Sequence, residues 1–220
     1  MKYISLILVV ILISSCDLSN DTEVKPKDEH QYSAGVIYDA IVKNNIIGDF
    51  DGNGIKDELK ESLYSSITKT SIDALPRIGY DSIVDFVYDL KPILLLKSTN
   101  KKIPNLELTK KASFGLFFIK NEGDLNGDGT DEISIVIDWA DWSQCNSCLI
   151  YTLQQNRWVK LGQFDVREWQ LERNNDFNGF IVKNKAGEYE ALTFDAEMIE
   201  INQPLSEVLV TPNKQKRQKY

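Results

Sequence analysis

Asp124, Asn126, Asp128 and Glu132 put oxygen-bearing side chains at the first, third, fifth and ninth positions of one short loop, Asp124 to Glu132 within GDLNGDGTDE. The same spacing recurs at Asp49, Asp51, Asn53 and Asp57 in GDFDGNGIKD. Each loop thus gathers three carboxylates and an amide oxygen, the hard donors that calcium takes in sets of six to eight. The backbone carbonyls of Thr130 and Ile55, at the seventh positions, would add one ligand each. Gly129 and Gly54 stand at the sixth positions, where a sharp turn favours a residue without Cβ. Without a cation the carboxylates repel, so binding is expected to order both loops. The alternative for either loop is an Asn/Asp/Gly turn that holds no metal.

The residues just beyond each loop narrow the choice of family. An EF-hand needs a bidentate Glu at position twelve, where this chain has Ile135 and Lys60. A dockerin-type loop would want Asp there. The ninth-position acid running into the apolar stretch Ile133–Ile137 resembles instead the calcium loops of FG-GAP/VCBS repeats, known from integrin α-chain propellers and bacterial surface proteins. The resemblance implies strand–calcium loop–strand units and structural, non-catalytic calcium. It is close for the Asp124 copy. It is looser for the Asp49 copy, because Glu58-Leu59-Lys60-Glu61 is less clearly a strand.

The loops begin 75 residues apart (124 minus 49), and Val42-Lys43-Asn44 before the first is echoed by Ile119-Lys120-Asn121 before the second. This is a weak internal repeat, with too few copies to close a propeller.

A second constellation is Asp138-Trp139-Ala140-Asp141-Trp142, expected at the end of the strand that leaves the second loop. Paired carboxylates beside indole faces suit a glycoside site or a sugar-binding surface. Equally, the indoles can be core aromatics and the acids solvated loop residues. Cys145 and Cys148 form the only cysteine pair beyond Cys16, too few thiolates for a zinc tetrahedron without histidine. In an exported protein a disulfide between them is the expected state. The single histidine, His30, lies outside the expected fold, which removes Ser-His-Asp and Cys-His catalysis from it.

The elements that must position these residues start after an N-terminal leader. Residues 1–15 carry Lys2 and the apolar run Ile4–Ile13, too short for the ~20 residues of a membrane helix. Ile13-Ser14-Ser15-Cys16 resembles the bacterial lipobox, which implies cleavage before Cys16 and lipidation of its thiol. The expected location is the cell membrane or outer membrane, with the anchored domain outside the cytoplasm. Residues 16–31 read as the lipidated Cys16 and a disordered tether.

A chain starting at Cys16 loses Lys2 and keeps 24 basic against 33 acidic residues, a net of −9. That charge argues against nucleic acid, whose phosphates dominate affinity. The expected partners are the membrane, through the anchor, and a protein or glycan.

Residues 32–210 are expected to form one mainly β, antiparallel domain with one short amphipathic helix. Ile83, Phe86, Val87 and Leu90 have the helical spacing, Asp81 and Ser82 offer cap oxygens, and Pro92 stops the helix. Leu149–Leu153 and Arg157–Leu161 read as a hairpin around Gln155-Asn156, and Phe180–Lys183 with Tyr189–Phe194 as another. Met198–Ile201 reads as a last strand, and residues 211–220 as a basic, frayed tail.

Overall fold

Alternating inward and outward side chains, interrupted by Asn/Asp/Gly turns, build almost the whole domain from antiparallel strands. A computed structural model describes residues 35–172 and 177–209. The leader, Cys16, His30, the tether and the basic tail lie outside the described residues. In chain order the elements are β1 (Tyr38–Ala40), β2 (Asn45–Gly48), β3 (Asp57–Ser65), β4 (Ala74–Pro76), α1 (Tyr80–Leu90), β5 (Pro92–Ser98) and β6 (Leu106–Thr109). They continue with β7 (Ser113–Gly123), β8 (Glu132–Trp139), β9 (Cys145–Gln154), β10 (Arg157–Arg167), α2 (Trp169–Glu172), β11 (Ile181–Lys183), β12 (Tyr189–Phe194), β13 (Glu200–Pro204) and α3 (Leu205–Val208).

The strands form two four-stranded meanders, β2-β3-β5-β6 and β7-β8-β9-β10, a three-stranded β11-β12-β13 sheet and the small β1-β4 pair. The mainly β, antiparallel expectation is met. The second meander is the middle layer. Ile133, Ile135 and Ile137 of β8 meet Leu59, Leu63, Leu94 and Leu96 of the first meander. On the other face Val136, Cys148 and Ile150 meet Ile181 and Ala191 of the three-stranded sheet and Phe180 just before it. Because β8 is buried on both faces, its sequence is a continuous apolar run rather than an alternation.

The internal repeat is real at the level of topology: each meander opens with a hairpin whose connection is one of the two acidic loops. The tripeptide echo is not its signature. Asn44 lies five residues before Asp49 but Asn121 only three before Asp124, and the two do different work. Asn44 bonds Glu61 and the Leu116 carbonyl, whereas Asn121 reaches across to the first loop.

Several boundaries move. The segment Glu58–Glu61 lies squarely within the nine-residue strand β3. Helix α1 starts after Gly79, with no side-chain cap, and buries Val84 together with Val87 and Leu90. The last strand starts at Glu200, because Met198 takes a left-handed turn conformation. The β9–β10 hairpin turns at Gln155 and Asn156 as expected, both with positive φ, which matches the strand twist.

Cys145 and Cys148 are free thiols in this structure, not the expected disulfide. Both sit in β9, and residues three apart along a strand point to opposite faces, beyond bridging distance. Cys145 is exposed, while Cys148 is fully buried and burial pushes its thiol far above the usual range. Alkylation of the native chain should therefore modify Cys145 and leave Cys148 untouched until denaturant is added, as peptide mass mapping would read.

Candidate functional site

The two acidic loops, far apart in sequence, are packed against each other. Asp131 N–H donates to the Asp49 carbonyl at 2.9 Å, and Asp49 N–H donates to Asp131 Oδ2 at 2.9 Å. Asn121 Nδ2 donates both to the Ile47 carbonyl (3.0 Å) and to Asp131 Oδ2 (2.9 Å). Gly48 is required at this contact: a Cβ there would lie 2.5 Å from Asn121 Nδ2 and 2.8 Å from Asp131 Oδ2. Neither Asn121 nor Asp131 belongs to the ligand spacing, so the sequence pattern alone did not single them out.

Within the first loop, the Asp49 carboxylate accepts from Asn53 N–H (3.0 Å) and Gly54 N–H (2.8 Å), and Asn53 Oδ1 accepts from Ile55 N–H (2.7 Å). The ninth-position acid, Asp57, is the first residue of β3, where the loop ends. Asp57 is 8% exposed, and its Oδ1 accepts from Asn100 Nδ2 at 3.0 Å. Its Oδ2 is buried with no hydrogen-bond partner among the described residues. A buried carboxylate oxygen without a donor is costly, and a bound cation would remove that cost.

The second loop repeats the geometry with one difference. Asp124 accepts from Gly127, Asp128 and Gly129 N–H, and Asp128 Oδ1 accepts from the Thr130 N–H and hydroxyl. Glu132 is fully buried and accepts from Leu125 N–H at 2.7 Å and Asn126 N–H at 3.2 Å. Burial pushes its carboxyl up to about 7 despite those donors. For Asp128 burial acts upward too, but the hydrogen bonds led by Thr130 outweigh it and leave the carboxyl below its ordinary range. Asn126 Nδ2 donates to both Asp128 Oδ2 (3.1 Å) and Glu132 Oε1 (3.0 Å). The amide thus bridges two carboxylates, and its Oδ1 would have to turn inward to ligate a cation.

Among the described residues, no group of three or more His, Cys, Asp or Glu side chains is arranged for a metal. The candidate sets draw instead on mixed donors: Asp49, Asp51, Asn53, Asp57 and the Ile55 carbonyl in one loop, and Asp124, Asn126, Asp128, Glu132 and the Thr130 carbonyl in the other. By donor chemistry both suit calcium. The orphaned Asp57 oxygen makes the first loop, the looser match by sequence, the better fit.

The Asp138–Trp142 constellation is only partly divided: Asp138 and Trp139 face opposite ways, while Asp138 stays within range of the Asp141 charge. Asp138 and Trp139 alternate along β8, so Trp139 packs on the core shared with the first meander while Asp138 points to the other face. Burial raises the Asp138 carboxyl to about 7, reinforced by the charges of Glu168, Glu61 and Asp141. Glu168, absent from the sequence constellation, accepts from Asn146 Nδ2 at 2.8 Å. Asp141 is exposed and accepts from Ser143 N–H at 2.8 Å. Trp142 is 69% exposed and lies against Tyr80, ring centroids 4.4 Å apart.

Asp138 carries a pH consequence. Its folded pKa of about 7 lies above the reference 3.8, so its charge destabilises the fold above pH 7 and ceases to as pH falls towards 4. Asp138→Asn should raise stability by ~1–2 kcal/mol at pH 8, allowing for solvent screening, and by almost nothing at pH 4. Paired urea unfolding curves at the two pH values check this.

Trp139 and Asp141 do share a cavity of about 600 Å³ with Tyr88, Lys91, Lys110, Lys111 and Cys145. These residues come from the end of α1, the β6–β7 turn and the β8–β9 loop, and no local motif announces them. Compared with known protein families, curated proteins and solved structures, the chain matches none.

Proposed function

We propose that this chain is a lipid-anchored, exported bacterial protein whose β domain is a calcium-stabilised binding or structural module of the cell envelope. The observation that carries the calcium reading is the buried, donorless Oδ2 of Asp57, at the end of the loop that carries Asp49, Asp51 and Asn53. Calcium would be held by the two oxygen sets named above and would perform no reaction. Bound there, it would supply positive charge to a loop that carries three carboxylates. Because the loops are hydrogen-bonded to each other, ordering them fixes the first meander against the second. Extracellular calcium modules commonly bind at ~0.1–1 mM. At one to ten times such a constant, each site adds ~0.4–1.4 kcal/mol of stability. Calorimetric titration of the full chain with calcium tests this reading. It predicts binding that Asp57→Asn weakens, and binding unaffected by that change contradicts it. The lipobox resemblance at Cys16 supplies the membrane part of the reading, which mass analysis of the N-terminal peptide tests.

One observation favours a second reading, a carbohydrate-binding role: Trp139 and Asp141 share a cavity of ligand size with the exposed ring of Tyr88. Its test is glycan binding to the full chain, in which Trp142→Ala, outside the cavity wall, should have little effect and Tyr88→Ala a large one.

A further inference from the structure

We propose that the cavity walled by α1, the β6–β7 turn and the β8–β9 loop binds an acidic saccharide, a pyranose bearing a carboxylate. The proposal rests on the carbohydrate reading and goes beyond it in the chemistry of the ligand. A volume of about 600 Å³ falls within the ordinary range for small-ligand sites. Its wall joins three kinds of group. Trp139 and Tyr88 offer aromatic surface to the C–H face of a sugar ring. Pro92, Ala112 and Ala140 add small apolar surface beside them. Asp141 is an acceptor for hydroxyls.

The charge is what selects an acid. Lys91, Lys110 and Lys111 line the cavity against the single carboxylate of Asp141, on a chain whose formal net charge is −8. Lys110 is paired with Glu107 at 3.1 Å. Among the described residues neither Lys91 nor Lys111 makes an ion pair. Lys91 is held in a left-handed backbone conformation (φ 44°) at the end of α1, a place where glycine or asparagine is cheaper. That conformation ends α1, with Lys91 N–H donating to the Tyr88 carbonyl at 3.2 Å, and both residues line the cavity. A phosphate-rich ligand fits less well. Among the described residues no helix N-terminus offers N–H groups at the cavity wall, the arrangement that suits phosphate oxygens, and the lysines there must also offset the negative C-terminal end of α1 for any anion. Hydroxyls, a flat ring face and one or two carboxylates match acceptors, aromatics and lysines together.

The test uses the full chain titrated calorimetrically with trigalacturonate, with maltotriose as the neutral control. Trigalacturonate should bind at least about tenfold more tightly, and Lys111→Glu should lower its affinity about tenfold without moving the unfolding temperature, since Lys111 is exposed. Tyr88→Ala, also exposed, should weaken both saccharides. Bound trigalacturonate should slow alkylation of Cys145, which stands in the cavity wall. Equal binding of both saccharides, or indifference to Lys111→Glu, overturns the acidic-ligand proposal and leaves the carbohydrate reading standing. Binding of neither overturns both. Binding of anionic phospholipid vesicles through Lys111, with no saccharide binding, overturns both in favour of a lipid surface.

Discussion

Replacing Glu61 with alanine is expected to cost about 3–4 kcal/mol, a large share of the ~5–15 kcal/mol that holds a domain together. Glu61 is 5% exposed, on the inward face of β3 among Leu59 and Leu63. It is nonetheless well satisfied. Its Oε1 accepts from Leu116 N–H at 2.8 Å, and its Oε2 accepts from Asn44 N–H at 2.9 Å and Nδ2 at 2.8 Å. Leu116 lies in β7, the outer strand of the second meander, at a bulge where the ladder to β8 slips. The carboxylate therefore supplies to β7 the acceptor that a further strand would have given. Alanine leaves the buried Leu116 N–H and the half-buried Asn44 N–H without this acceptor and opens a cavity as well. Gly115 records how close the approach is, since a Cβ there would lie 2.5 Å from Glu61 Oε1. Glu61→Gln, which keeps the shape but points one N–H at another donor, should cost about half as much. Urea midpoints of the two variants check the ranking, and a loss under about 1 kcal/mol for alanine would refute the role assigned to Glu61.

The second large effect falls on Phe50, which is both the second residue of the first acidic loop and a fully buried core side chain. Its ring lies 6.2 Å from that of Trp158, across the boundary between the two meanders. Phe50→Ala is expected to cost about 3–5 kcal/mol. Leu125 holds the matching position in the second loop but is only partly buried, against the other core. Leu125→Ala should cost about 1–2 kcal/mol. The Phe50 variant should also lose calcium response in the first loop, because the ring ties that loop to the core. Thermal unfolding with and without calcium separates the two consequences.

The contrast between Glu61 and β8 shows what was legible. The Ile133–Ile137 run was readable because both of its faces are buried and nothing charged interrupts it. Strand β3 was obscured by its inward carboxylates, above all Glu61, whose partner at Leu116 lies 55 residues away. Local pattern reports burial, but it cannot report a partner on another sheet. The acidic loops were legible because ligand spacing is local, while the Asp49–Asp131 handshake, 82 residues apart, was not. The Asp138–Trp142 cluster is divided at one point, since strand alternation sends Asp138 and Trp139 to opposite faces, while Asp138 still feels the charge of Asp141. Two of its members, Trp139 and Asp141, join lysines from two other segments that no motif connects. The cysteine pair failed because a strand runs through both residues where a tight loop was expected.

Calcium held in both acidic loops would stabilise the stacked meanders through them, and heat unfolding reads that stabilisation. The experiment is thermal unfolding of the full chain in excess EDTA, then across a calcium titration. Occupied loops predict a melting temperature that rises with calcium and saturates, by a few degrees for ~1–3 kcal/mol in total. Asp124→Ala and Asp57→Asn should each remove part of the rise. A melting temperature unmoved by millimolar calcium, in the parent and both variants alike, would contradict calcium binding and leave the two loops as hydrogen-bonded turns.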